Sequence, residues 1–155
     1  MSFTQGIQTI NPLVTDQTVA SSIVPVDIGS TGTGNSAFSK SLPASTRWQW
    51  ELEGIFTLGA TGGFRFLAHS TVAPTTYNAT FQVTDETTPA TFQDAQLVEA
   101  AFTNASAVAG NYILKAFGTI IAAGATVFSL QMAQNNSQVT GIVMNKGCTF
   151  KIWQF

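Results

Sequence analysis

Apolar and polar residues alternate along several stretches of the chain, most clearly between residues 47 and 58. Every second residue there is apolar or glycine, namely Trp48, Trp50, Leu52, Gly54, Phe56 and Leu58. The residues between them begin as Arg47, Gln49, Glu51 and Glu53. Because the side chains of a strand point alternately to its two faces, this pattern predicts a long strand with one buried face.

A glycine-rich segment, residues 59–63, follows this strand. Phe64, Phe66 and Ala68 then alternate with Arg65, Leu67 and His69, which predicts a second strand. Two alternating strands joined by a short glycine-rich turn are typical of a β-hairpin. The sequence therefore predicts that these two strands pair with each other.

The rest of the chain has the same pattern of short apolar stretches separated by turns. It predicts strands over residues 38–42, 77–83, 112–121, 126–133, 139–144 and 148–155. It also predicts an edge or bulged strand over 21–28, because Pro25 cannot donate a backbone hydrogen bond. Residues 91–103 fit a short helix or a strand, and their β-rich surroundings favour the strand. Regularly spaced short strands predict an all-β sandwich or barrel.

The first seventeen residues carry thinly spaced apolar side chains, and Pro12 argues against a helix through them. We interpret residues 1–17 as an extended N-terminal arm and residues 18–155 as the folded domain. A frayed terminus is the alternative interpretation.

Composition narrows the function classes. The chain has 155 residues, which fits one domain, and its formal net charge is −2 with 9% charged residues. Six Lys and Arg residues are too few for a sequence-independent nucleic-acid binder. No apolar run is long enough for a membrane span, and no signal peptide is evident, so we expect synthesis in a cytoplasm. Charge is depleted from interface cores, so the composition also favours an oligomer or an assembled particle.

The reactive side chains form no recognisable catalytic or metal-binding motif. His69 is the single histidine and Cys148 the single cysteine. Ser70 follows His69 on a predicted strand, so their side chains are expected on opposite faces. Glu51 and Glu53 share a face, where a cross-strand ion pair is a better interpretation than acid–base chemistry. We therefore predict no enzyme activity, no metal site and no cofactor.

Large aromatic residues at strand positions are the remaining signal. Trp48, Trp50, Phe150, Trp153 and Phe155 could stack on sugars if exposed, or build a core or subunit contact if buried. The alternation around Trp48 and Trp50 favours the core or a contact. A monomeric carbohydrate-binding module would instead require these two tryptophans to be exposed.

Two stretches carry a resemblance to a known family. Residues 41–76 hold a polar lead-in, an aromatic strand, a Gly/Thr turn and a Gly-Phe-x-Phe strand. The later stretch carries Gln131, Ala133, Gln134, Asn135 and Ser137, followed by Gly147 and Phe150. Together they resemble the jelly-roll modules of tailed-bacteriophage virion proteins, which are similar to tumour-necrosis-factor-like trimers. Cys148 departs from the resemblance, because such modules often have Ser there.

The resemblance implies an all-β jelly-roll sandwich that forms a homotrimer, with its closing strands near the threefold axis. Phe150, Trp153 and Phe155 would then form the trimer interface. The chain begins with Met and has only a short arm before the module, which favours a capsid decoration (cement) protein on the virion surface. Its arm would contact the major capsid protein through Phe3, Ile7, Ile10 and Leu13. The alternative is a tail-fibre or baseplate module whose loops 29–36, 70–76 and 104–110 recognise host surface glycans.

Overall fold

The computed structural model describes residues 9–88 and 90–155, and this part of the chain is all-β. Its strands are β1 (Thr9–Pro12), β2 (Gln17–Val19), β3 (Val26–Asp27), β4 (Ser39–Leu42), β5 (Arg47–Leu58), β6 (Phe64–Ser70), β7 (Thr76–Asp85), β8 (Thr91–Gln96), β9 (Phe102–Asn104), β10 (Gly110–Ile121), β11 (Thr126–Gln134), β12 (Ile142–Met144) and β13 (Thr149–Gln154).

These strands form two antiparallel sheets, as expected for a β-sandwich. The larger sheet has the order β1-β13-β5-β10-β7-β8, with β12 also paired to β5 and β2 paired to β12. The smaller sheet has the order β3-β11-β6-β9, with β4 also paired to β11. β12 and β13 lie along the same edge of β5, so they form one interrupted row of the larger sheet.

The alternation in residues 47–58 has the predicted consequence. Trp48, Trp50, Leu52, Phe56 and Leu58 are buried, and β5 has the bounds that the sequence predicts. The Phe56 ring stacks on Tyr112 of the same sheet at a centroid distance of 5.1 Å. It also meets Phe66 of the smaller sheet edge-on at 5.0 Å. The core is therefore the aromatic layer between the two sheets.

The predicted hairpin between β5 and β6 is wrong, because the two strands lie in different sheets. The glycine-rich segment 59–63 carries the chain from one sheet to the other. Gly63 has a φ of +68°, and a Cβ there would lie 2.1 Å from the Asn104 carbonyl oxygen. Within the described residues, β7 and β8 are the one pair of consecutive strands that hydrogen-bond to each other.

The segment with two interpretations is a strand in part. Residues 91–96 form β8 and residues 102–104 form β9, while residues 97–101 between them are neither strand nor helix. Leu97 and Val98 are exposed on that connection. Residues 21–28 contribute only the short β3, and Pro25 lies before it.

The described part of the predicted arm belongs to the sandwich. β1 pairs with β13 from Thr9 to Pro12, and the Leu13 amide donates to the Cys148 carbonyl at 2.7 Å. Leu13 itself is buried in the core. A boundary between residues 17 and 18 would separate β1 and Leu13 from the sheet and core that they complete. Residues 9–17 are therefore better assigned to the domain.

Candidate functional site

The outer face of the larger sheet is the candidate site. Here β5 and β10 run side by side, and the odd-numbered residues of both strands point away from the core. Two ion pairs cross this face: Lys115 lies 3.7 Å from Glu53, and Lys151 lies 4.0 Å from Glu51. The predicted cross-strand ion pairing is thus confirmed. Exposed pairs of this kind contribute at most about 1 kcal/mol each. They balance the charges of the two lysines and two glutamates at the centre of the face, while Arg47 at the start of β5 lies over the Phe155 ring.

Two aromatic side chains stand on this face beside the ion pairs. Phe117 lies on β10 with 52% of its surface exposed. Trp153 lies on β13, half-buried, and its Nε1–H donates to the Gln49 side-chain oxygen at 3.1 Å. A shallow depression lies between them, and its lining includes Gln49, Thr119 and Asn78. The lining also includes Glu51, whose carboxylate is paired with Lys151. The site therefore combines two aromatic surfaces with neutral polar groups and one ion-paired carboxylate.

The floor of this depression is formed by a close approach of strands. A Cβ at Gly118 would lie 2.1 Å from the Asn78 carbonyl oxygen and 2.8 Å from the Trp50 ring. The absence of a side chain there lets the indole of Trp50 pack under β10. The Asn78 side-chain oxygen accepts a hydrogen bond from the Thr119 amide at 2.8 Å, which fixes the orientation of the Asn78 side chain.

The three predicted trimer-interface residues have different environments. Phe150 has no exposed surface and stacks on Phe38 at 5.8 Å, so it packs within the chain and has no surface to offer a neighbour. This corrects its assignment to an interface. Trp153 lies on the outer face described above. Phe155 is exposed at the end of the chain, with the Arg47 guanidinium 5.4 Å from its ring centroid.

The four predicted capsid-binding residues are also divided. Phe3 and Ile7 lie outside the described residues. Ile10 is exposed on β1, opposite Lys151 of β13. Leu13 is buried in the core, where it stabilises the fold and offers no surface to a partner. This corrects its assignment to partner contact.

His69 has a carboxylate partner, and none of the described contacts joins its ring to a nucleophile. Its Nδ1 lies 2.5 Å from one oxygen of Glu99, and the other oxygen of Glu99 accepts from the Ser70 amide at 3.1 Å. The Ser70 hydroxyl is buried on the opposite face, where it contacts the Thr126 hydroxyl at 2.9 Å. The pair therefore anchors the connection between β8 and β9. Glu99 lies 30 residues from His69, so no local motif could have identified it.

Tyr77 lies beneath the same connection. Its hydroxyl donates to the Ala68 carbonyl at 3.2 Å. Burial, together with the nearby carboxylates of Glu99 and Asp94, raises its pKa above the usual range. The phenol is thus held neutral and has a structural role.

Cys148 is the small buried residue that the sequence predicts. Its thiol donates to the Ile55 carbonyl at 3.3 Å, and burial raises the pKa of the thiol to about 11. A protonated thiol is a poor nucleophile and a poor metal ligand. In the part of the chain that the structure describes, no group of three or more His, Cys, Asp and Glu side chains could hold a metal ion.

The first of the three loops proposed for recognition is tied to the domain. The Asn35 side-chain oxygen accepts from the amides of Val14 and Thr15, each at 2.9 Å. Gln17 is buried beneath the loop, and its side-chain oxygen accepts from the Gly29 amide at 2.5 Å. Loop 29–36 is therefore fixed in place by two side-chain amides. Sequence inspection identified the loop but not these two residues.

No helix with the length and hydropathy of a membrane span occurs in residues 9–88 and 90–155.

Comparisons with known proteins give only weak structural likeness. No protein-family model matches the sequence, and no curated protein matches it. The chain is similar to murine APRIL with a TM-score of 0.30 and 7% identity, over 96% of this chain and 100% of that one. It is similar to the CBM22-1–GH10 modules of Clostridium thermocellum xylanase 10B with a TM-score of 0.26 and 9% identity, over 96% of this chain and 28% of that one.

It is also similar to the viral protein VP2 of infectious bursal disease virus, with a TM-score of 0.24 and 11% identity, over 96% of this chain and 40% of that one. The chain thus spans less than half the length of the xylanase and VP2 chains. The fold class rests on the strand pairing described above: two antiparallel sheets that enclose an aromatic core as a β-sandwich.

Proposed function

We propose that the chain is a structural protein of a virion that acts by binding other protein subunits and not by catalysis. More specifically, we propose a homotrimeric decoration protein on the capsid of a tailed bacteriophage. One observation carries the proposal: several large apolar side chains are exposed on the surface. They occur in a chain of which only 9% of the residues are charged. The phage, the capsid and the trimer come from the sequence resemblance.

The exposed apolar side chains favour association with other subunits. Leu97 is 81% exposed and Val98 71% exposed on the β8–β9 connection, and Ile23 and Val24 are exposed before β3. Soluble monomers usually keep apolar patches small and surround them with charge. Contacts with other subunits would remove such side chains from water. Each Å² of apolar surface buried in this way stabilises the assembly by about 25 cal/mol.

A decoration protein stabilises a shell by mass action. A trimer that binds only the assembled capsid stabilises it by its binding free energy. Three weak contacts on one trimer act together, because the first contact raises the effective concentration of the other two. We assign the capsid contact to the N-terminal segment with Phe3, Ile7 and the exposed Ile10. We assign the trimer contact to the end of the closing strand, at Phe155.

The N-terminal assignment is tested with a deletion that respects the fold. Removal of residues 1–8 leaves β1 and Leu13 in place, whereas removal of residues 1–17 would also take away a sheet edge and a core side chain. We expect the 1–8 deletion to keep the native mass of the full chain and to lose co-sedimentation with capsids of the encoding phage. Full decoration by this variant would contradict the arm assignment.

The first measurement is the native mass by sedimentation equilibrium. A mass of three chains is expected, and a mass of one chain would overturn the homotrimer. Immunogold labelling of purified virions then separates capsid from tail. Label over the whole shell is expected for a decoration protein, and label at the tail tip would replace it with the tail-module alternative.

A further inference from the structure

We propose that the depression between Phe117 and Trp153 on the outer face of the larger sheet binds a neutral glycan segment. This inference goes beyond the structural role above and does not rest on it. It differs from the glycan-binding alternative in the sequence analysis, which placed recognition in the loops. Trp153 is here assigned to a ligand and not to the trimer contact.

The sheet register places the two aromatic residues on either side of polar ones. Trp153 pairs with Gln49 of β5, which pairs in turn with Thr119 of β10. Phe117 lies two residues before Thr119, on the same face of β10. Neighbouring strands are about 4.8 Å apart, so the two aromatic residues are separated by about two strand spacings across the sheet. That separation leaves room for a ligand between them.

The two rings supply flat apolar surfaces. A sugar ring has apolar C–H faces and a hydroxyl rim, and the C–H faces pack on aromatic rings. Phe117 has 52% of its surface exposed although it lies on a central strand of the sheet. Trp153 is held in orientation by its hydrogen bond to Gln49. A ring that is already fixed loses little conformational entropy when a ligand binds.

The polar groups between the rings have hydrogen-bonding capacity left. Gln49 uses its side-chain oxygen to accept from Trp153, and Asn78 uses its side-chain oxygen to accept from the Thr119 amide. An amide side chain also has an NH₂ group with two donors. The described contacts therefore leave the NH₂ groups of Gln49 and Asn78, together with the Thr119 hydroxyl, for ligand hydroxyl groups.

The charges on the face argue for a neutral ligand. The lysines on this face, Lys115 and Lys151, are each paired with a glutamate, Glu53 and Glu51. An anionic sugar would have to compete with those carboxylates, and a cationic one with the lysines. A neutral oligosaccharide needs neither exchange.

The test uses Trp fluorescence, because Trp48 and Trp50 are buried and Trp153 is the tryptophan with substantial exposed surface. The full-length protein is titrated with cellohexaose, xylohexaose, maltohexaose and chitohexaose. We expect saturable binding of at least one of these probes. Phe117→Ala and Trp153→Ala should each weaken it at least tenfold, with the variant titrations followed by isothermal calorimetry.

Ile113→Ala is the matched control. Ile113 lies on the same strand and face as Phe117 and is also exposed, but it is outside the depression. The glycan affinity of Ile113→Ala should remain within twofold of the wild-type affinity. Circular dichroism should show that all three variants are folded. Equal losses in Ile113→Ala and Phe117→Ala would overturn the assignment to this depression.

Two further outcomes would overturn the glycan site. One is the absence of saturable binding for all four probes at millimolar concentration. The other is a native mass that falls in both Phe117→Ala and Trp153→Ala, which would make this face a subunit contact. The second outcome would leave the proposed virion role standing, whereas a monomeric wild-type protein that binds glycan would remove the homotrimer and keep the glycan site.

Discussion

Cys148 fills the space above Gly54, where the side chain of any other residue at position 54 would have to lie. A Cβ on Gly54 would be 2.0 Å from the Cys148 sulfur and 2.6 Å from the Cys148 Cβ. The contact joins the continuous strand β5 to the break between β12 and β13. The absence of a side chain at Gly54 thus lets Cys148, which lies in the break between β12 and β13, pack directly against the long central strand.

Gly54→Ala should therefore destabilise the protein. Overpacking a site that cannot expand typically costs about 1–3 kcal/mol. We expect a loss in this range in the free energy of unfolding, measured by urea denaturation. Gly124→Ala is the control, because the nearest atom to a Cβ there is Val72 Cγ1 at 3.7 Å. Equal stability of Gly54→Ala and the wild type would contradict the close packing of the thiol on β5.

The buried thiol also predicts a dependence of stability on alkaline pH. Burial raises the pKa of Cys148 from 9.0 to about 11. The folded state therefore holds the proton more tightly than the unfolded state. Its contribution to stability is complete below pH 9 and is lost as the pH rises from 9 to 11. Between pH 7 and pH 10 this loss amounts to about 1.4 kcal/mol.

Tyr77 and Tyr112 also have pKa values raised by burial, so they add to the alkaline loss in the wild type. Comparison with Cys148→Ala isolates the thiol. Urea denaturation at pH 7 and pH 10 should show a loss about 1.4 kcal/mol smaller in the variant than in the wild type. Identical pH dependence in the two proteins would show that burial does not raise the pKa of the Cys148 thiol.

Period-two patterns predicted the buried faces well because they record which side of a strand meets the core. The buried residues of β5 follow the pattern, and Phe117 could have been placed outside by counting from the apolar Tyr112 and Leu114. The same patterns contain no information on strand partners. Both Phe56 and Phe66 point inward whether their strands pair or face each other, so the predicted hairpin was wrong.

The contacts made by single polar side chains could not be predicted from the sequence, because their partners are far away along the chain. Glu99 is 30 residues from His69, and Asn35 is 20 residues from Thr15. Neither spacing corresponds to a repeat of a helix or strand. The composition showed that the chain is poor in charged residues, but the positions of its polar groups depend on how the two sheets bring distant segments together.

Asn35 should make a measurable contribution to stability. It accepts from the amides of Val14 and Thr15 and donates to the carbonyls of Thr15 and Thr31, at 3.0 and 2.7 Å. Asn35→Ala should lower the free energy of unfolding by about 1–3 kcal/mol, because these backbone groups lose their partner. Amide exchange at Val14 and Thr15 should become faster.

Asn136→Ala is the matched control for that substitution, since Asn136 is an exposed asparagine in another loop. It should leave both stability and the exchange of Val14 and Thr15 unchanged. An Asn35→Ala variant with wild-type exchange at these two amides would show that loop 29–36 is held by other contacts.

Two phenylalanines near the end of the chain allow the core and the proposed subunit contact to be tested separately. Phe150→Ala should lower the free energy of unfolding by about 3–5 kcal/mol, because the buried ring leaves a cavity beside Phe38. Phe155→Ala should cost less than about 1 kcal/mol, since it removes only an exposed ring over Arg47. Under the proposed trimer, Phe155→Ala should nevertheless reduce the native mass in sedimentation equilibrium at micromolar concentration. A Phe155→Ala protein that stays trimeric would move the subunit contact to another surface, and a Phe150→Ala protein of wild-type stability would contradict the core position of that ring.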